Sequence, residues 1–281
     1  MQCATKRAAV LHWTAMKIPP VVLTIAGFDP SSGAGITADI KTIAAHACYG
    51  VACITALTVQ STAGVRRVQA LPEGLIKDTL RELADDIEIA AVRIGMLGSQ
   101  EAAYAVAEFL SEVRLPHVVL DPIVQASSGA DLLGPGGLKV ILERLIPLSE
   151  VVTPNLAEAA ALTAIKVKSL ESMRAAGNRL RELGARSVVV TGGHLQQPTD
   201  LLITAGGEQQ YFGQHIQSRS THGTGCAFAT SLACNLALGC SVAEATLAAK
   251  NYVSAAIRRA YPVGKGTGPL HHLFRFSEQP K

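Results

Sequence analysis

The sequence predicts an α/β protein with a mostly parallel central sheet and helices on both faces. Strand-like and helical segments alternate along the chain, and the strands are continuous apolar runs rather than alternating polar and apolar residues. Continuous apolar strands are typical of parallel sheets that are buried on both faces. With no linker or low-complexity segment, we expect a single domain over residues 21–281. Residues 1–20 are predicted to be a loose N-terminal extension, and translation could instead begin at Met16.

Each predicted strand is a short apolar run that ends at a turn signal. In chain order these strands are 21–29, 51–60, 90–96, 117–122, 150–155 and 186–193. Residues 61–72, between the second strand and the next helix, are predicted to be a polar connection. Residues 200–213 contain the turn Ala205-Gly206-Gly207 between two apolar runs, which predicts a hairpin.

The predicted helices follow the strands and place apolar residues at helical spacing. They cover 35–50, 73–88, 99–113, 136–146, a segment beginning after Asn155, 169–183, 224–238 and 241–259. Ser99 is the expected N-cap of the third helix. Gly184 is expected to end the helix at residues 169–183.

The composition argues against several classes of protein. The formal net charge is only +3, aromatic residues make up 4%, and no more than two Lys or Arg residues are adjacent, so a nucleic-acid partner is not expected. No apolar run is long enough to span a bilayer, and the first twenty residues lack the features of a signal peptide. The six cysteines show neither CxxC nor zinc-finger spacing, which favours free thiols in the cytoplasm.

Ligands of such sheets bind beyond the carboxyl ends of the strands, so the residues after each strand are the candidate site. The segment after the first strand contains Gly33-Ala34-Gly35 but neither GxGxxG nor a P-loop, so a tight turn and a ligand loop remain alternatives. Asp29 is expected to cap this turn, and Asp39, by residue type alone, to be a solvated carboxylate on the following helix. Gln60 offers a donor and an acceptor to a heterocyclic ring, or merely leaves its strand.

Two further strand ends carry candidate residues. Met96 is either part of the core or one wall of a pocket for a flat ring. Asn155 and Glu158 have the spacing of a helix capping box, yet their oxygens could also hold hydrated Mg²⁺ through water.

Cys226 lies where the glycine-rich segment Gly223-Thr224-Gly225 enters a helix. Backbone N–H groups and the helix dipole at such a position form an anion site and lower the pKa of a thiol. We therefore expect Cys226 to be partly thiolate beside a bound anion, although a buried filler residue is an equal alternative on these residues alone.

An ordered set of motifs closely resembles one family. It comprises LTIAGFDPSSGAGITADIKT, ITALTVQST, IGMLGS, LDPIVQASSGADLL, TPNLAEAAAL, GGH, THGTGCAFATSLACNLALG and GKGTGPLHHLF. Together, over roughly residues 21–274, they resemble the hydroxymethylpyrimidine/phosphomethylpyrimidine kinases of thiamine biosynthesis. The resemblance implies a ribokinase-like fold and MgATP-dependent phosphorylation of 4-amino-5-hydroxymethyl-2-methylpyrimidine and then of its monophosphate.

The resemblance also implies roles for individual residues. Cys226 matches the catalytic base, and the amides of Gly223, Thr224, Gly225 and Cys226 match the anion hole. Gln60 matches the residue that binds the aminopyrimidine edge. The remaining matches to the pyrimidine pocket are Gly27, Ala34, Asp39, Met96 and Ile123. Asn155, Glu158, Thr191 and Gly193 match the ATP-phosphate region, where Glu158 is expected to hold Mg²⁺ through water.

The chain departs from the family pattern at two positions. The family's lysine in KGGH is Thr191 here, and the lysine of its AKSG motif is Ser127. Phosphoryl transfer requires charge to be neutralised around the transferred group. Either Mg²⁺ and the helix N-terminus suffice, or another cation substitutes, for which Lys265 and an arginine are the candidates. A homodimer is also expected.

Two other functions remain as alternatives. A pyridoxal or pyridoxine kinase would act on a similar ring alcohol, and the missing lysines fit a non-catalytic pyrimidine-binding relative. A Rossmann oxidoreductase is disfavoured because GxGxxG is absent.

Overall fold

Nine strands of the described residues form one sheet. A computed structural model describes residues 18–125, 129, 132–134 and 136–277. The strands are β1 (Val21–Phe28), β2 (Tyr49–Ser61), β3 (Gly64–Ala70), β4 (Ile89–Ile94), β5 (Val118–Leu120), β6 (Val151–Val152), β7 (Ser187–Val190), β8 (Thr199–Thr204) and β9 (Gly207–Phe212). Their order across the sheet is β3-β2-β1-β4-β5-β6-β7-β8-β9.

The middle of the sheet is parallel and its edges are antiparallel. Strands β2, β1, β4, β5, β6 and β7 pair in parallel, whereas β3, β8 and β9 join through antiparallel pairs. The carboxyl ends of six strands therefore meet at one edge of the sheet. The prediction of a mostly parallel sheet is confirmed, as is the hairpin at residues 205–207.

The helices follow the expected spacing. They are α1 (Gly35–Ala45), α2 (Glu73–Asp86), α3 (Gln100–Glu112), α4 (Gly137–Val140), α5 (Ile146–Leu148), α6 (Leu156–Thr163), α7 (Leu170–Glu182), α8 (Thr224–Ala237) and α9 (Val242–Arg258). A π-helical segment, Ile141–Leu145, joins α4 to α5. Ser99 caps α3 as predicted, because its side chain accepts a hydrogen bond from the N–H of Ala102 at 3.1 Å.

Apolar side chains on the two faces of the sheet enter different cores. In β1, Leu23 and Ile25 pack in the core that includes α2, α3, α6 and α7, whereas Val22 packs with α8 and α9. All three side chains have no exposed surface. This two-sided burial explains why the strand sequences are continuously apolar. No helix among the described residues is both long and apolar enough to cross a membrane.

Two predictions differ from the structure, and a third concerns residues that the structure does not describe. The first helix ends at Ala45 rather than residue 50, and β2 already begins at Tyr49. The connection predicted for residues 61–72 contains the edge strand β3. Residues 1–17 of the expected N-terminal extension lie outside the described residues, so the domain boundaries stay a prediction.

Candidate active site

A cavity of about 560 Å³ opens at the carboxyl ends of the parallel strands. Thirteen of the fourteen predicted site residues line it: Gly27, Ala34, Gln60, Met96, Ile123, Asn155, Glu158, Thr191, Gly193, Gly223, Thr224, Gly225 and Cys226. The exception is Asp39. The strand-end rule selected some of these residues, such as Gln60 and Asn155, and the family resemblance supplied others, such as Gly27 and Ile123.

The amino terminus of α8 faces the cavity. Gly223 adopts a left-handed conformation with φ of 84°, and a Cβ there would collide with the carbonyl oxygen of Gly33. The close approach of these two segments thus requires glycine. N–H groups in the first turn of a helix lack intrahelical partners, so those of Gly225 and Cys226 can donate to an anion.

Cys226 differs from the expectation of a partly ionised thiol. Its residue is only 7% exposed. Burial raises the pKa of the Cys226 thiol to about 12, and the nearby Arg93 guanidinium only partly opposes this rise. Desolvation of the thiolate outweighs the favourable field of the helix terminus, so Cys226 is a neutral thiol in the free protein.

Arg93 carries a buried positive charge to the cavity. Its residue has no exposed surface, yet it lines the cavity beside Cys226. One guanidinium nitrogen, Nη1, donates to Asp39 at 2.9 Å, and Nη2 donates to Asp121 at 2.6 Å. It lies near the end of β4 and is a candidate for the arginine that the sequence could not place.

Asp39 is a correction to both expectations for that residue. It is neither a solvated carboxylate nor part of the cavity lining, since it is completely buried beneath the site. Its carboxylate accepts hydrogen bonds from Thr24 and Thr230, each at 2.7 Å, as well as from Arg93. Burial raises the pKa of Asp39 although Arg93 and these hydroxyls oppose it. Asp39 therefore holds Arg93 in place rather than contacting a ligand.

Asn155 and Glu158 form the capping box and line the cavity as well. The Asn155 side chain accepts from the N–H groups of Ala157 and Glu158, each at 2.9 Å, and the Glu158 carboxylate accepts from the Asn155 N–H at 2.9 Å. Burial and the nearby Asp121 raise the pKa of Glu158 to about 8. Two carboxyl groups at one end of the cavity would be stabilised by a bound cation.

Lys250 supplies a second positive charge on the cavity wall. Its ammonium lies 2.7 Å from the Asp200 carboxylate, which also accepts the N–H of Gly192 at 3.0 Å. Lys250 is thus held beside the strand end at Thr191, where the family's lysine is absent. Lys265, a candidate to replace the missing lysine, does not line the cavity. Ser127 lies outside the described residues.

A polar group of three side chains surrounds the other end of the cavity. The ring nitrogen Nε2 of His222 lies 2.8 Å from the Asp29 carboxylate and 3.2 Å from the Gln60 side-chain amide. Asp29 also caps the turn after β1 as predicted, because it accepts from the N–H groups of Ser31 and Ala34. These contacts join the loop after β1, the strand β2 and the segment before α8.

Sequence reasoning missed several cavity residues, among them Arg93, Asp121, His222 and Lys250. Arg93 had a signal, since a charge inside an otherwise apolar strand requires a buried partner. Asp121 ends a strand and satisfied the rule already applied to Gln60. His222 adjoins the recognised Gly223 segment, whereas Lys250 lies within a long helix and carried no local signal.

Comparisons with known proteins agree with this geometry. The family model described as phosphomethylpyrimidine kinase matches residues 29–271. A hydroxymethylpyrimidine/phosphomethylpyrimidine kinase of Streptomyces coelicolor is 40% identical over 92% of this chain and 97% of its own length. A thiamine biosynthesis bifunctional protein of Geobacter sulfurreducens is 44% identical over 90% of the chain, which spans only 52% of that longer protein.

Solved structures give the same result. An ADP complex of Bacillus subtilis pyridoxal kinase superposes with a TM-score of 0.84 at 32% identity, covering 92% of this chain and 100% of the other. A phosphomethylpyrimidine kinase from Clostridium difficile gives 0.76 at 36% identity, covering 85% and 99%. These likenesses confirm the ribokinase-like fold. With its sheet, cavity and motif order, the chain belongs to the phosphomethylpyrimidine kinase family.

Proposed function

We propose that the protein transfers the γ-phosphoryl group of ATP to the hydroxymethyl group of 4-amino-5-hydroxymethyl-2-methylpyrimidine, and then phosphorylates the resulting monophosphate, in thiamine biosynthesis. The observation that carries the proposal is that one cavity contains both Gln60, which suits an aminopyrimidine edge, and the amino terminus of α8, which suits a phosphoryl group. The names of the similar kinases support the same reaction.

The pyrimidine occupies the part of the cavity formed by Gly27, Ala34, Gln60, Met96 and Ile123. Met96 is 8% exposed and supplies a flat apolar wall. A Cβ at Gly27 would come 2.8 Å from the Met96 sulfur, so glycine keeps this wall open. The substrate hydroxymethyl group then points toward Cys226 and the amides at the start of α8.

Positive charge and backbone amides stabilise the transferring phosphoryl group. The N–H groups of Gly225 and Cys226 donate to its oxygens, and the positively charged side chains of Arg93 and Lys250 line the same cavity. Fixed donors of this kind stabilise the transition state because they need no reorganisation during the reaction.

Cys226 accepts the proton of the substrate hydroxyl as its oxygen attacks phosphorus. Because the thiol pKa is raised to about 12, only a small fraction is ionised near neutral pH, and that thiolate is a strong base. Arg93 favours the ionised form. The reaction rate therefore rises with pH across the neutral and weakly alkaline range.

The described residues fit a magnesium ion that is held mainly by phosphate and water. They contain no cluster of three His, Cys, Asp or Glu residues that could bind a metal directly. Glu158 and Asp121 provide the carboxylates, which are hard oxygen ligands suited to hydrated Mg²⁺, and Asn155 holds Glu158 in place through the capping box. When bound, Mg²⁺ neutralises phosphate charge. Glu158 orients its water shell.

The deciding experiment is an ADP-release assay with the pyrimidine alcohol and, separately, its monophosphate. We expect ATP-dependent turnover of both substrates by the wild-type protein. Absence of ADP release with both compounds, in a protein shown to be folded, would contradict the proposed reaction. Tight binding of the alcohol without ADP release would instead indicate a pyrimidine-binding relative.

Pyridoxal phosphorylation is the second candidate because several similar structures are pyridoxal kinases, including one from Staphylococcus aureus in complex with pyridoxal. Comparing kcat/KM for pyridoxal and for the pyrimidine alcohol decides between the two.

We also propose a cytoplasmic homodimer. Exposed Leu57 and Val59 on β2, next to the edge strand β3, support a second copy as neighbour, and light scattering of the purified protein tests it.

A further inference from the structure

The side-chain amide of Gln60 is held at both of its ends. Thr58 Oγ1 lies 3.1 Å from the Oε1 position of the amide, and His222 Nε2 lies 3.2 Å from the Nε2 position. An amide has one donor and one acceptor end, so its neighbours determine which end occupies which position. Each neighbour of Gln60 also makes a hydrogen bond to a second partner, which fixes whether it can donate to or accept from the amide.

The commitment of His222 is to Asp29. The two groups lie 2.8 Å apart, a distance that requires a hydrogen on Nε2 because the carboxylate can only accept. Asp29 also accepts from the Ser31 hydroxyl and from two backbone N–H groups, so it is a carboxylate with no proton to give. The same Nε2–H can be shared with Gln60 only if an acceptor faces it. The amide oxygen therefore belongs on the His222 side.

The commitment of Thr58 gives the same answer independently. Its hydroxyl lies 3.0 Å from the carbonyl oxygen of Phe28, which can only accept, so the single hydroxyl hydrogen is used there. Toward Gln60 the Thr58 oxygen can then only accept. The amide nitrogen therefore belongs on the Thr58 side, which is half a turn from the orientation in which two nitrogens would meet.

We infer that Asp29 and His222, together with Thr58, lock the Gln60 amide with its oxygen toward His222, and that this lock sets which way round the substrate ring binds. His222 is thereby a positioning residue that determines specificity. A Cβ at Gly33 would collide with the His222 ring, so glycine at that position leaves the space that the ring occupies. The inference rests on the proposed function for the identity of the ring.

The locked amide matches one edge of an aminopyrimidine. Along that edge the ring nitrogen, the amino group and the hydroxymethyl group occupy three successive positions. The Gln60 nitrogen donates to the ring nitrogen on the Thr58 side, and the oxygen accepts from the amino group on the His222 side. The hydroxymethyl group then lies beyond His222, which directly precedes Gly223 at the start of α8. The lock therefore directs the reacting group toward Cys226.

An analogue with the opposite hydrogen-bond pattern tests the lock. The 4-oxo pyrimidine alcohol carries a carbonyl oxygen in place of the amino group and a hydrogen on the adjacent ring nitrogen.

Titration calorimetry with both alcohols, without ATP, measures their Kd values for the wild type and for His222→Asn, Thr58→Val and the double variant. Asn is too short to reach Asp29 and Gln60 together. His117→Asn, at the amino end of β5, is the matched control, since Asn tolerates its φ of 50°.

We expect the wild type and His117→Asn to prefer the amino compound by at least about 100-fold, because the oxo compound leaves two buried groups unpaired. Each single variant should reduce this preference, and the double variant should reduce it at least about tenfold. A preference unchanged in the double variant, with both Kd values raised equally, would overturn the inference and show a structural role only. If the wild type binds neither alcohol, both the inference and the proposed substrate are wrong. Wild-type binding of the amino compound with an unchanged ratio in the variants leaves the substrate standing and overturns the lock.

Discussion

Replacing Arg93 with methionine removes the cation that joins two buried carboxylates. Asp39 has no exposed surface and Asp121 is 3% exposed, and both lie within 3 Å of the guanidinium. Methionine fills much of the volume but leaves the carboxylates uncompensated. Breaking a buried ion pair in this way costs about 3–5 kcal/mol, a large part of the ~5–15 kcal/mol that stabilises a typical domain.

The loss of stability depends on pH with a definite sign. Burial already raises the pKa values of Asp39 and Asp121 against the opposing effect of Arg93. Without Arg93 these folded-state pKa values rise further above the ordinary value of 3.8. A carboxyl group with a raised folded-state pKa destabilises the protein progressively as pH increases above its unfolded value. The variant should therefore be closest to wild type near pH 5 and weakest near pH 8.

Urea unfolding at pH 5 and pH 8 measures both effects. Arg93→Met/Asp39→Asn should recover part of the lost stability, because one uncompensated charge is removed. Arg81→Met is the control, since Arg81 pairs with Glu112 at 3.0 Å on the surface, and we expect no measurable change. A loss below about 1 kcal/mol for Arg93→Met, or the same loss at both pH values, would refute this account of the network.

Three further predictions concern turnover. Cys226→Ala should lower kcat by about 10²–10⁴-fold and remove the rise of kcat with pH that we expect of the wild type. Full activity at pH 7 would contradict the base role. Lys250→Met should raise the KM for ATP about tenfold, the size expected for one lost charge-assisted contact. The kcat should change less than the KM. An unaltered KM would place Lys250 outside the nucleotide site. Glu158 has a pKa raised to about 8, so Mg²⁺ affinity measured by calorimetry should fall as pH drops from 9 to 6, and Glu158→Gln should abolish that dependence; a pH-independent wild type would exclude Glu158 from the magnesium site.

The parallel part of the sheet could be predicted because its strands are continuously apolar, which indicates burial on both faces. Strand β3 could not, since it is an edge strand with mostly exposed or half-buried side chains, including Arg66 and Arg67, and its stability comes from pairing with β2. The end of α1 was misplaced because the apolar residues near Cys48 belong to the turn into β2 and mimic a continued helix.

The residues that line the cavity could be predicted from the sequence, but the charge states and ion pairs of the site could not. Topology alone brings strand ends together, so residues such as Gln60 and Asn155 could be selected without knowing any distance. The charge on Cys226 depends on how deeply it is buried, which the sequence of a helix terminus does not state. The pairing of Asp39 with Arg93 joins positions 54 residues apart, and neither residue type alone indicates its partner.

The contact between Asp29 and His222 spans 193 residues of chain, and that between Thr62 and Gly266 spans 204. A growing polypeptide emerging from the ribosome therefore holds the loop after β1 without its histidine until nearly the whole chain has been synthesised. Contacts of such long range form late and slow folding. A chain released before residue 222 has been synthesised consequently lacks the side of the cavity that His222, Gly223, Cys226 and Lys250 form.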